Sequence, residues 1–229
     1  MKASAWLYGG MAAIAVALCV TRSVNAAPDS TNTATAPPTT IAAAHDSVQQ
    51  AADVWADSVM ATLSLRERVA QLMVPRLDLK ADAAGIATIR RITSQQHIGG
   101  LLLGKGTLRD YATLINEAQA AAKVPLLVTC DGEWGPSMRV TDAPRFPYNM
   151  TLGAITDPQL LYDYGQEVGR ECRELGITVD FAPVLDVNSN PSNPVIGYRS
   201  FGESPERVAI LGEAFAHGME SAGEMFGHA

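Results

Sequence analysis

Ile177 to Glu203 reads ITVDFAPVLDVNSNPSNPVIGYRSFGE. Ile177, Val179, Phe181, Val184, Leu185 and Val187 make a mostly apolar run of strand length, interrupted by Asp180 and closed by Asp186. Such runs mark strands buried on both faces, as in parallel sheets. Asn188, Asn190, Pro191, Asn193 and Pro194 follow, turn formers that lead to a lone cation at Arg199. Ser204-Pro205-Glu206 then offers a hydroxyl N-cap with Pro at the first helical position. Polar chemistry therefore sits just past the carboxyl end of a strand. Parallel α/β folds, and (β/α)8 barrels above all, bind ligands at that edge.

Working outward, the chain alternates between the two periodicities. Val54, Val59, Leu63, Leu65, Val69 and Leu72 recur at near-helical spacing, and Ser64, three residues before Glu67, predicts an internal N-cap within an opening helix pair. A short strand is expected around Leu72 to Val74, a helix over Ala83 to Gln96, a second strand over Ile98 to Leu103 and a helix over Asp110 to Ala122. Val124 to Thr129 reads as a third strand, Pro158 to Leu175 as a long helix capped by Asp157, Ile177 to Val187 as the fourth strand and Pro205 to Ala222 as the closing helix. Strand and helix in alternation imply an α/β fold with a parallel sheet. A (β/α)8 TIM-barrel type with the first four to five β/α units is the expected architecture, and a doubly wound sheet is the open alternative. No GxGxxG opens a helix after the first strand, which argues against a dinucleotide site.

The first 26 residues carry Lys2, an apolar stretch from Leu7 to Val20 and a small-residue end at Val24-Asn25-Ala26, the pattern of a secretory signal peptide. The stretch is shorter than the roughly 20 residues a bilayer span needs. Leu18 is bulkier than the residue that precedes a lipidated cysteine, so no lipid anchor at Cys19 is expected. Residues 27–46 are rich in Ala, Pro, Thr and Ser with almost no large apolar side chain, and read as a tether. Residues 47–229 suffice for one core but fall short of the roughly 250 residues of a complete barrel. The mature protein is expected to be periplasmic or extracellular. Loss of Lys2 and Arg22 with the leader takes the net charge from −7 to −9, which disfavours nucleic acid as a partner. Cys130 and Cys172 are too few for a disulfide scaffold, and two separate buried thiols fit better than one bridge.

The third strand carries a second constellation. Leu126-Leu127-Val128-Thr129 runs into Cys130-Asp131-Gly132-Glu133-Trp134-Gly135, with Met138-Arg139 just beyond. A carboxylate accepts hydrogen bonds from paired hydroxyls, a guanidinium donates in a fixed fork, and an indole face packs on pyranose C–H groups, so this set suits a sugar pocket. A surface loop with a helix-capping Asp is the plainer alternative. Gly99 to Gly106, GGLLLGKG, mimics a phosphate-binding loop, but Gly106 stands where Ser or Thr belongs and the leucines belong to a strand. The four histidines, and Asp180 with Asp186, show no ligand spacing, so neither a metal nor a cofactor is expected.

NPVIGYRSFGE closely resembles the arginine loop of glycoside hydrolase family 3, in the form typical of its β-N-acetylhexosaminidase branch, and DGEWG followed by Arg139 is similar to that family's sugar-holding segment. The likeness runs from about Val54 to Gly223 and implies an N-terminal barrel domain over residues 47–229. It implies substrate binding by Asp131, through ring hydroxyls, with Arg139 and Arg199 as cationic partners in the same subsite. Glu133, Trp134 and Asp186 would shape the pocket. The family's Lys-His strand, its Pro-Gly-His acid/base loop and its nucleophilic Asp have no match, and Glu224 to Ala229 resembles neither the strand nor the loop, so the chain is expected to be truncated and to hold no catalytic residue. His228 is read as an incidental terminal residue. The implied function is a secreted glycosidase that releases terminal β-linked N-acetylhexosamine by a retaining mechanism from amino-sugar glycans. A β-glucosidase of the same family, a non-catalytic saccharide-binding module and an inert fragment are the alternatives.

Overall fold

The computed structural model describes residues 40–223 and 226–227. The expected signal peptide, most of the tether and His228 lie outside them. Two compact units divide the chain, residues 1–68 and 69–229. In the first, helix α1 (Thr40–Ala61) begins inside the stretch read as a tether. A capping box at Ser64 starts α2 (Leu65–Ala70): the Ser64 N–H donates to the Glu67 carboxylate at 2.7 Å, and the Glu67 N–H donates to Ser64 Oγ at 3.3 Å. No helix among the described residues is long and apolar enough to cross a membrane.

The second unit is built on strands β1 (Arg76–Leu77), β2 (Gly100–Leu103), β3 (Leu127–Cys130), β4 (Val179–Asp180) and β5 (Phe226–Gly227). All are parallel, and each pairs with the next in chain order. A doubly wound sheet reverses its strand order at a switch point, whereas a barrel advances one strand at a time. The order here is the barrel's, and the alternative falls. Between the strands lie α3 (Ala83–Gln96), α4 (Leu108–Ala121), the single turn α5 (Asn149–Leu152), α6 (Pro158–Glu174) and α7 (Pro205–Ser221).

The helices begin where local chemistry predicts. Asp82 accepts the Gly85 N–H, Thr107 and Asp110 form a reciprocal capping box, and Asp157 and Ser204 each cap a helix that has Pro at its first turn. Asp110 also accepts the Ala81 N–H at 2.8 Å, and these backbone donors hold its carboxyl down to about 2. Ile89, Leu101, Leu114, Val128, Leu161, Phe201 and Phe215 fill the core between sheet and helices. Cys130 and Cys172 are free and buried, and burial pushes both thiols up. α6 and α7 pack closely because Gly165 and Gly169 on one, and Gly218 on the other, leave room for the facing backbone.

Two strand expectations need correction. Leu72 to Val74 is not the first strand, which lies at Arg76–Leu77, although the Met73 carbonyl already accepts from Gly99 and Gly100. The fourth strand stops at Asp180 instead of running to Val187. Pro183, which follows a cis peptide bond, has no N–H to donate, and Phe181 (45% exposed) and Leu185 (42%) lie outside the core. Phe226–Gly227, in a stretch whose sequence resembles neither the family's Lys-His strand nor its acid/base loop, is the fifth strand and pairs with β4 in the register Val179 to Phe226 and Asp180 to Gly227. Its pairing is set by the free edge of β4 and not by local pattern.

Candidate sugar-binding site

The site forms at the carboxyl ends of β3 and β4, where two loops fold toward each other. Past Cys130 the chain makes a tight turn, with the Gly135 N–H on the Gly132 carbonyl at 2.7 Å. Gly135 sits at φ 96, a conformation open to glycine, and admits the 3-10 turn Pro136–Met138. That turn brings Arg139 back over Asp131. Its Nε donates to the Asp131 carbonyl at 2.9 Å, and its Nη2 donates to Asp131 Oδ2 in a close ion pair. The Asp131 side chain keeps 38% of its surface exposed, so it retains acceptor capacity for a ligand.

Arg199 ends the 3-10 turn Gly197–Arg199 in the loop between β4 and α7. Its Nε and Nη2 grip the two Glu133 oxygens at 2.8 and 2.6 Å, a two-point fork spanning 66 residues of sequence. The Glu133 side chain is only 6% exposed, and this hydrogen-bonded partner raises the guanidinium further above its ordinary value. The loop is braced from below. Asn149, at the start of α5, donates from Nδ2 to the Arg199 carbonyl at 2.8 Å, and Ser200 Oγ lies 2.6 Å from the Asp186 carbonyl. Arg207 in α7 donates to the Gly153 and Ile155 carbonyls at 2.7 and 2.6 Å, fixing the segment that carries α5.

Asp180, at the end of β4, is fully buried beneath the turn. One carboxyl oxygen accepts the Gly132 N–H at 2.8 Å, and the other has no partner among the described residues. Burial pushes this carboxyl up to about 7, opposed by the Gly132 N–H and reinforced by the charge of Asp131. The sequence reading treated Asp180 as an interruption in a strand and missed it. A charge inside an apolar run was the available signal.

The structure therefore distributes the expected residues over two ion pairs, Asp131 with Arg139 and Glu133 with Arg199. Glu133, expected only to shape the pocket, is the anchor of Arg199. The pairs share one neighbourhood, since Arg199 feels the charges of both Asp131 and Asp186. Asp186 itself contributes its carbonyl, with its side chain at the exposed rim. Among the described residues no group of three or more His, Cys, Asp or Glu is placed to hold a metal ion. Two guanidiniums held by carboxylates, one carboxylate still accessible, stand together at the carboxyl ends of two neighbouring strands, the edge at which parallel α/β proteins bind ligands.

Residues 64–227 match the model of the glycosyl hydrolase family 3 N-terminal domain. The chain is 36% identical over 169 residues to Beta-hexosaminidase LpqI of Mycobacterium bovis, covering 72% of this chain and 42% of that protein. It is 39% identical over 148 residues to Beta-hexosaminidase A of Pseudoalteromonas piscicida, covering 59% of this chain and 25% of that protein. A solved family 3 β-N-acetylglucosaminidase from Paenibacillus superposes with a TM-score of 0.62 at 36% identity, over 70% of this chain and 32% of that one. The chain belongs to glycosyl hydrolase family 3, and its parallel sheet is a partial TIM barrel of that family's N-terminal domain. It spans less than half the length of these curated relatives.

Proposed function

We propose that the chain supplies the sugar-holding half of a secreted glycosidase that releases terminal β-linked N-acetylhexosamine. The observation that carries this is the two-point fork between Arg199 and buried Glu133 beside the Asp131–Arg139 pair. Two guanidiniums fixed by carboxylates, one of which still faces solvent, present donors and an acceptor to vicinal hydroxyls in a constant geometry. The names of the relatives supply the amino-sugar preference, and the leader-like residues 1–26 support export.

Recognition, not bond cleavage, is the part these residues play. Retaining hydrolysis needs a nucleophilic carboxylate and an acid/base group on opposite sides of the scissile bond. Asp131 and Glu133 stand two residues apart past one strand end, each already hydrogen-bonded to a guanidinium. Calorimetric titration of the chain with N-acetylglucosamine and with glucose tests the reading. Tighter binding of N-acetylglucosamine, lost in Arg139→Ala, is the expected result. Tighter binding of glucose would move the assignment to a β-glucosidase, a reading favoured by one relative, from Cellulomonas fimi, that carries both activities in its name.

A further inference from the structure

The polar network and the aromatic cluster of this site are built from the same three dipeptides. Glu133 is followed by Trp134, Asn149 is preceded by Tyr148, and Arg199 is preceded by Tyr198. The polar members turn inward and join: Arg199 grips Glu133, and Asn149 donates to the Arg199 carbonyl. The aromatic members meet one another. Tyr148 and Tyr198 lie 4.5 Å apart between centroids in a tilted pair, and Trp134 meets them edge-on at 4.8 and 6.0 Å.

These rings are not core. Tyr148 is 41% exposed, Tyr198 55%, and Trp134 is half-buried. Three aromatic rings in mutual contact, two of them largely exposed and carrying hydroxyls, form an amphipathic surface. The backbone beneath Tyr148 and Tyr198 is restrained, because their neighbours Asn149 and Arg199 are held by the hydrogen bonds just described. The surface is therefore as well placed for recognition as the ion pairs.

We propose that Trp134, Tyr148 and Tyr198 form a platform for a second pyranose ring, the one joined to the sugar held by Asp131, Arg139 and Arg199. This rests on the sugar-binding reading above and extends it to the substrate class: a β-linked disaccharide or longer amino-sugar glycan in preference to a monosaccharide. A pyranose presents an axial C–H face to such rings, and it lies one glycosidic bond from the first sugar, as the aromatics lie one residue from the polar set. An apolar peptide or lipid aglycone would also cover aromatic rings. The phenol hydroxyls of Tyr148 and Tyr198 and the chain continuity with the proposed hydroxyl-binding groups favour a saccharide.

The test titrates the chain calorimetrically with N-acetylglucosamine and with N,N′-diacetylchitobiose, alone and in the variants Tyr198→Ala and Tyr198→Phe. The disaccharide is expected to bind more tightly than the monosaccharide. Tyr198→Ala should weaken the disaccharide roughly five- to tenfold, the scale of one aromatic packing contact, and move the monosaccharide less than about twofold. Tyr198→Phe, which keeps the ring, should retain the disaccharide. Equal weakening of both sugars would overturn the platform, since it would show that Tyr198 only supports Arg199, and an unchanged disaccharide affinity would overturn it too. If the unsubstituted chain binds the monosaccharide but gains nothing from the disaccharide, the platform alone fails. If it binds neither sugar, the reading beneath it fails as well.

Discussion

At the scale of single residues, the two arginines of the site differ in what their loss leaves behind. Removing Arg199 strands Glu133, a buried carboxylate, whereas removing Arg139 leaves Asp131 with access to water. Breaking a buried pair costs several kcal/mol and an exposed one about 1 or less. Arg199→Ala should therefore destabilise the chain by about 3 kcal/mol and Arg139→Ala by about 1 kcal/mol, as denaturant melts will show. Arg199→Lys should recover only part of the loss, because a point charge cannot reproduce the fork. Asp180 sets a different signature. It titrates near 7 in the fold against an ordinary 3.8, so between these values the folded state holds the extra proton. The stability it carries is whole below the lower value and is lost as pH rises through the upper one. Between about pH 5 and about pH 8 the parent should lose on the order of 2 kcal/mol more than Asp180→Asn does, and an identical pH profile for the two would exclude a titrating Asp180.

Among the elements, the α6–α7 pair depends on the absence of side chains. A Cβ at Gly218 would run into the Tyr162 carbonyl, and one at Gly165 into that of Phe215. Backbone cannot step aside as a flexible side chain can, so Gly218→Ala should cost about 2 kcal/mol or more by thermal melting. The helices were legible in the sequence because their causes are local. Caps at Asp82, Asp157 and Ser204, and apolar faces at helical spacing, are written within a few residues of each boundary. Strand ends were less legible. Ile177 to Val187 had a strand's composition throughout, but the ladder ends where Pro183 withholds its N–H, and Phe226–Gly227 is a strand only because β4 offers it an edge. The site divides the same way. Asp131 and Arg139 stand eight residues apart and were readable together, while the bonds joining Glu133 to Arg199 and Gly132 to Asp180 cross 66 and 48 residues and leave no local trace.

For the whole chain, the sheet sets the solution behaviour. Among the described residues β1 and β5 each have one neighbouring strand, and Phe181 and Leu185 stand exposed beside the short β4. Unpaired edge groups next to apolar side chains invite intermolecular pairing. The 229-residue chain should run larger than a monomer in sizing chromatography, with the larger species gaining at higher concentration, and a monodisperse monomer at every concentration would show that the edges are protected. The braces of the site carry one more consequence. The Asp180, Asn149, Arg207 and Arg199 side chains each hydrogen-bond to a group 48 to 66 residues away. Contacts of that separation cannot form until the intervening chain has been closed into loops, so they belong to slow, topology-limited folding, on the order of milliseconds to seconds, and not to the microsecond formation of the helices. After dilution from denaturant, helical signal should therefore return first, and the ability to bind sugar should return with the last kinetic phase.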